Sequence, residues 1–257
     1  ATVISETLGA VLVLLCLMRS QDALHFSWRR LRFDRRSFSL MAKVGVPAGI
    51  QGCLFSVSNV VIQGAINAYG SIVVAGCSAA GSIDSFIYVA MNTFHQTVQT
   101  FLSQNIGAGK YDRVKPILNK CLLCVVVTGA LLSAVACVFS EPLLRIYNQD
   151  PDVLVAGVER LRIVAAPYII FGLADVLTGA IRGCGSPVLP VVINLLCTCA
   201  LRLAWIALID TSTMPARMVY LSYPFSWLAL LVVLLICWVH LYRRRIRPNL
   251  VCRQAAA

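Results

Sequence analysis

From Val44 to Ile83 the chain carries no Asp, Glu, Lys or Arg, and Cys121–Ser140 and Met218–Leu241 repeat that pattern. Runs of this length leave few structural options. A bilayer core is crossed by about 20 apolar residues of helix, and inside it every backbone polar group must be bonded within the structure. Charged residues make up only 13% of the 257, against about 25% in an ordinary soluble domain, and mean hydropathy is +0.80. Six full spans are expected near 44–66, 71–105, 118–139, 160–181, 187–209 and 217–242. A seventh, cut short, occupies 1–18. The expected fold class is an all-α integral membrane protein: a six-helix transmembrane lobe plus the end of a preceding helix. The chain opens with Ala1 in mid-apolar run and has no signal-peptide n-region, so it reads as the C-terminal part of a longer protein.

Charge placement orients the spans. Of 22 Lys and Arg, 17 fall on one side: seven in 19–43, four in 110–120, Arg182, and five in 243–253. Arg145, Arg160, Arg162 and Arg217 fall on the other, and Arg202 lies inside a span. The positive-inside rule makes the first set cytoplasmic, while Glu141, Asp150, Asp152, Glu159 and Asp210 face outside. The C-terminus is thus expected in the cytoplasm. The net charge of +11 is an orientation signal, and no nucleic-acid partner is expected. Trp28-Arg29-Arg30-Leu31-Arg32-Phe33 reads as a connector lying on anionic lipid.

The eleven cysteines sit mostly inside spans or at their ends, where cysteine behaves as a small apolar residue. Cys121-x-x-Cys124 has neither a second pair nor a nearby His, so no metal is expected. Gly109-Lys110 resembles a P-loop ending, but Gln104 stands where its first Gly belongs and Tyr111 where Ser or Thr is needed. No HExxH, GxSxG or paired-carboxylate set appears. No catalytic residues and no cofactor are expected.

Four spans carry one polar face each. Gly52, Ser56, Asn59, Gln63 and Asn67 share a helical face by spacing. So do Asp84, Tyr88, Asn92, His95 and Gln99, then Tyr168, Phe171, Asp175, Thr178 and Arg182, and the shorter set Asn194, Thr198, Arg202 and Trp205. A charge at the bilayer centre costs about 2.5–3.5 kcal/mol even on a lenient scale, so these faces meet each other or a watery cavity. For Ser56, Asn59, Asn194 and Thr198, interhelical hydrogen bonding and cavity lining are both open. Asp175 lies mid-span and is a functional candidate; its structural alternative is an ion pair with Arg182 or Arg202. Asp84 alternatively sits hydrated near the outer surface, Arg202 snorkels, and His95 is a satisfied core histidine.

Four segments together carry a resemblance. They are Lys43-Val44-Gly45-Val46-Pro47-Ala48-Gly49-Ile50-Gln51 opening a span, the turn after Asn67, Phe101-Leu102-Ser103-Gln104-Asn105-Ile106-Gly107-Ala108-Gly109 closing the next, and Gly179-Ala180-Ile181-Arg182-Gly183-Cys184-Gly185 closing the fourth. With Tyr223-Pro224-Phe225-Ser226-Trp227 in the last span, the set resembles the multidrug and toxic compound extrusion (MATE) family over nearly the whole chain. The resemblance implies a twelve-helix fold of two six-helix lobes related by a pseudo-twofold along the membrane normal. Residues 1–18 would end the sixth helix, 19–43 the cytoplasmic connector between lobes, 44–242 the second lobe and 243–257 a basic tail. It further implies a monomeric, multi-pass protein of the plasma membrane that exports drugs or cationic amphiphiles in exchange for protons or sodium. Its partners would be a small-molecule substrate, membrane lipid and the N-terminal lobe of the same protein.

Some branches of the family hold the coupling cation with a Glu on the first helix of this lobe and an Asp on the fourth. Here Gly52-Cys53-Leu54-Phe55-Ser56 has no acid, and Asp175 lies about a turn nearer Arg182 than that Asp. The expected ion-coupling residues are Asp175 and Asp84, with Asn59, Gln63, Tyr88, Asn92, His95, Gln99, Tyr168 and Arg202 lining the cavity. A lipid-linked saccharide flippase and a non-transporting receptor or assembly subunit are the alternatives. The topology is testable in the full-length protein freed of native cysteines. A cysteine replacing Gln149 is expected to react with an impermeant maleimide on intact cells, and one replacing Lys110 only after permeabilisation; the opposite pattern inverts the orientation.

Overall fold

A computed structural model describes residues 2–19, 32–209, 214–246 and 248–249. Asp210, residues 20–31 of the basic connector including Trp28-Arg29-Arg30-Leu31, and most of the 243–257 tail lie outside the described residues. The chain divides into two compact units, 1–43 and 44–257. In the first, α1 spans Thr2–Arg19 and leaves Leu8, Leu12 and Leu15 exposed.

No strand occurs among the described residues. Helix α2 runs Arg35–Asn67 and α3 Ser71–Gly107. A single 3₁₀ turn, Tyr111–Arg113, leads into α4, Val114–Val138. Short α5, Ser140–Arg145, precedes α6, Pro151–Ala165, and α7, Tyr168–Gly183. Helix α8, Val188–Asn194, passes through a π-helical turn, Leu195–Ala200, into α9, Leu201–Leu208. Helix α10, Arg217–Leu241, carries Pro224 inside it. Five helical segments are long and apolar enough to cross a bilayer: Gly49–Asn67, Ser71–Gly107, Tyr111–Val138, Val188–Leu208 and Arg217–Arg244. The α6–α7 pair, bent by 44°, supplies a sixth.

Two boundaries differ from the hydropathy reading, each for a local reason. Helix α2 begins at Arg35, well before the apolar run, because the Asp34 carboxylate accepts the Ser37 hydroxyl and its backbone N–H, the latter at 2.8 Å. Those bonds hold the Asp34 carboxyl below its ordinary range. The fourth span is not one helix from 160 to 181. It starts at Pro151, where Asp150 caps the Asp152 N–H and Pro occupies the first turn. It then breaks at Ala166–Pro167, since proline offers no N–H to continue the ladder. The turn after α3 is as expected: Gly109 sits at φ 71°, a conformation that a Cβ disfavours.

In the second unit α3 packs against α4, α6 and α7, and α10 against α6 and α7. The α3–α7 contact is backbone-close. A Cβ on Gly179 would sit 2.6 Å from the His95 carbonyl oxygen, and one on Gly183 2.9 Å from that of Gln99. Small residues four apart are how helices approach where no hydrophobic force acts between them. Leu123, Val127 and Leu131 on α4 point outward, as the lipid-facing side of a span requires.

Gly179→Ala is expected to push α3 and α7 apart and destabilise the lobe by about 1–3 kcal/mol, the usual cost of overpacking. Gly64→Ala, where nothing lies within 4 Å, is the control that leaves stability unchanged or improved. Apparent melting temperatures in detergent distinguish the two.

Candidate functional site

The polar face of α2 points away from the lobe core. Ser56, Asn59, Gln63 and Asn67 are all exposed, and Gln63 Nε2 donates to Asn67 Oδ1 at 3.0 Å. The opposite face buries Ser58, Ile62 and Ile66. Near the start of its apolar stretch, Gln51 Oε1 accepts a hydrogen bond from Arg182 Nη2 at 2.9 Å. Asn59 and Gln63 are therefore available to a watery or polar surface outside this core.

On α3 the expected single stripe splits. Tyr88 is 47% exposed and Asn92 and Gln99 are half-buried, whereas Asp84 and His95 are 8% and 5% exposed and face other helices. Periodicity groups residues on a face but does not say which of them meets a neighbour. A second exposed polar set on α3, Thr93, Gln96 and Thr100, went unnoticed in the sequence because it lies off that stripe.

His95 meets Asp175. Its Nδ1 lies 2.9 Å from the Asp175 backbone carbonyl oxygen and 2.9 Å from Asp175 Oδ1. A carbonyl oxygen can only accept, so Nδ1 carries the hydrogen and shares it between the two oxygens. In the neutral ring Nε2 is then the nitrogen without a hydrogen. The second carboxylate oxygen, Oδ2, is buried with no hydrogen-bond partner. Asp175 was expected to pair, if at all, with Arg182 or Arg202; the partner is His95, because Gly179 lets α3 come close enough one turn further along α7.

Asp84 meets Arg160. The Oδ2–Nη1 distance is 3.1 Å, and the same Nη1 donates to the Cys77 carbonyl oxygen at 3.0 Å. Asp84 is thus held inside the lobe rather than hydrated at its surface. Sequence reasoning placed Arg160 among the outer charges and gave no signal of the pair, since its members lie on different helices 76 positions apart.

Arg202 does not snorkel. At 5% exposure its Nε donates to Ser226 Oγ at 2.8 Å, and its guanidinium lies 4.3 Å from the Tyr223 ring centroid and 6.0 Å from that of Trp227. The aromatic wall continues through Tyr168 and Phe171, 5.0 and 5.4 Å from Trp227, and on to Tyr88, 5.9 Å from Phe171. Tyr168 is buried within that wall. Asn194 is engaged inside the lobe by the Pro190 carbonyl at 2.9 Å. A surface groove of about 1060 Å³ between α5 and α6, lined by Glu141, Arg145, Glu159 and Arg162 among others, contains none of the candidate residues.

The family model described as MatE matches residues 47–207. The chain is similar to the probable multidrug resistance protein YoeA of Bacillus subtilis (strain 168), 27% identical over 76% of this chain and 43% of that protein. It is also similar to the probable multidrug resistance protein YpnP of the same organism, 30% identical over 66% of this chain and 38% of that protein. The chain thus spans less than half the length of these curated relatives. Among solved structures, an outward-facing multidrug resistance MATE family transporter of the MOP superfamily superposes with a TM-score of 0.80. It is 12% identical and covers 96% of this chain and 55% of its own.

The Asp84–Arg160 pair makes a stability prediction. Arg160→Met or Asp84→Leu alone leaves an uncompensated buried charge and is expected to cost about 3–5 kcal/mol, whereas the double substitution recovers most of it. Apparent melting temperatures of the full-length variants in detergent read this out, and neutral single variants contradict it.

Proposed function

The chain belongs to the MatE family, and from that premise we propose that it forms the second six-helix lobe of a proton-coupled antiporter. The cargo is a drug-like, cationic amphiphile, carried out across the plasma membrane. The N-terminal lobe of the same protein completes the path, the protein works as a monomer, and the C-terminus lies in the cytoplasm. The observation that carries the reading is the part-buried His95–Asp175 contact.

That contact favours the proton over sodium on chemical grounds. Hard cations are held by several oxygen ligands, and Asp175 offers a single unpartnered oxygen, Oδ2. Imidazole, by contrast, is the side chain that ordinarily exchanges a proton near neutral pH. With a neutral ring the pair carries one negative charge; after a proton reaches Nε2 it carries none. A proton and a cationic cargo are then alternatives for the same charge. Loading the pair from the outer, more acidic side releases cargo, and unloading it inside restores the attraction. Such differential binding is what shifts the balance between inward- and outward-open states. Tyr88, whose ring stands beside Phe171, extends the lining, and Arg182 further along α7 ties that helix to Gln51. Asn59, Gln63, Asn92 and Gln99 supply uncharged polar lining.

Full-length protein in liposomes tests this with pH and sodium gradients imposed separately. A pH gradient alone is expected to drive transport of a fluorescent organic cation. Asp175→Asn and His95→Gln are each expected to lower that rate on the order of ten-fold, the scale of typical coupling free energies. Driving by sodium at constant pH, or full activity in Asp175→Asn, overturns the reading.

A further inference from the structure

Two guanidinium groups are buried in this lobe, and they are accommodated differently. Arg160, at 9% exposure, has the Asp84 carboxylate at 3.1 Å and the Cys77 carbonyl oxygen at 3.0 Å. Arg202 is buried more deeply, at 5%, yet no carboxylate pairs with it among the described residues. One hydroxyl, Ser226 Oγ, takes its Nε–H at 2.8 Å, and the Tyr223 ring lies 4.3 Å from the guanidinium.

What is left over is the outer edge of the fork. Neither Nη atom makes a hydrogen bond among the described residues, and neither is among the polar atoms sealed from solvent without a partner. A guanidinium held at Nε and over an aromatic ring has its outer edge oriented, and two parallel N–H groups fit a carboxylate or phosphate bidentately. A membrane-embedded charge with no counter-ion, as Arg202 has none among the described residues, is costly and marks a functional position. The backbone agrees. Arg202 is the second residue after the π-helical turn Leu195–Ala200, a distortion that gathers at functional sites. The Trp227 ring centroid lies 6.0 Å from its guanidinium, and Phe171 packs on Trp227 with centroids 5.4 Å apart.

We propose that Arg202 is an oxyanion subsite, which receives the carboxylate or phosphate of a cargo whose aromatic part packs against the Tyr223–Trp227 cluster. The proposal rests on the export reading above and narrows its cargo: the amphiphile carries an oxyanion as well as the cationic group drawn to the His95–Asp175 pair. A phospholipid headgroup offers the same phosphate chemistry, so the test separates the two sources.

Purified full-length protein in a nonionic detergent is titrated calorimetrically, without any gradient, with three probes of one ring system: naphthalene carboxylate, naphthalene carboxamide and naphthylmethylamine. The carboxylate is expected to bind about ten-fold more tightly than the carboxamide, as charge-assisted bidentate bonds exceed neutral ones. Arg202→Gln is expected to erase that preference, and Tyr223→Leu to weaken all three probes. Should Arg202→Gln fail to fold, Arg202→Lys decides: it keeps the charge without the fork, so carboxylate binding falls while amine binding holds. Equal binding of carboxylate and carboxamide by the unaltered protein, or an unchanged preference in either Arg202 variant, overturns the proposal. If added phosphatidylglycerol abolishes carboxylate binding and stays with the unaltered protein but not with Arg202→Gln, the oxyanion is a lipid's and the cargo assignment falls. Because no proton gradient is used, failure here is distinct from failure of proton-driven transport.

Discussion

The backbone-to-backbone contact of α3 and α7 is what the rest of the lobe depends on. Gly179 and Gly183 lie one turn apart and remove the side chains that would hold the helices off, leaving the carbonyl oxygens of His95 and Gln99 within 3 Å of where a Cβ would be. In hydrocarbon no hydrophobic force draws two helices together; packing and interhelical hydrogen bonds must do it. The glycines provide the first, and the His95 imidazole, reaching both the carbonyl and the carboxylate of Asp175, provides the second. A wider helix pair would strand both ionisable groups.

Three ionic arrangements lie inside the lobe. Asp84 and Arg160 pair and join α3 to α6, with Asp84 Oδ1 and Arg160 Nε left without hydrogen-bond partners. His95 and Asp175 join α3 to α7 and leave Asp175 Oδ2 without one. Arg202 has an aromatic neighbour and a single hydroxyl, and neither Nη atom is hydrogen-bonded among the described residues. A membrane interior makes each unmatched charge expensive, and of the three Arg202 is the one with no oppositely charged partner among the described residues.

Much of the fold was legible because hydrocarbon permits so little. Uncharged stretches of 20 residues or more have no stable state there other than helix, and the turns at 67–70, 107–109 and 182–187 stood out by their Gly, Asn and Pro. The partners were not legible. His95 and Asp175 are 80 positions apart and Asp84 and Arg160 are 76, and a helical stripe reports which residues share a face without naming what that face meets. Tyr168 and Phe171 were visible as one stripe, and Tyr223 and Trp227 as part of a family-like segment, but that the four rings meet in one aromatic wall was not, since they lie on different helices. The π turn left no mark either, since Leu195–Ala200 has the composition of any membrane helix.

The break at Ala166–Pro167 divides one span into two rods, and each rod is fastened to α3 by a different ion pair: Arg160 above the break, Asp175 below it. Mechanically, α3 is a splint across a fracture. Helix α7 has 16 residues, about 24 Å at ~1.5 Å rise per residue, so a tilt of roughly ten degrees about the fracture displaces its far tip by about 4 Å. That tip carries Arg182, the tether to Gln51 on α2. With no hydrogen-bond ladder running through Pro167, the two rods are held to one another by α3 rather than by a continuous backbone.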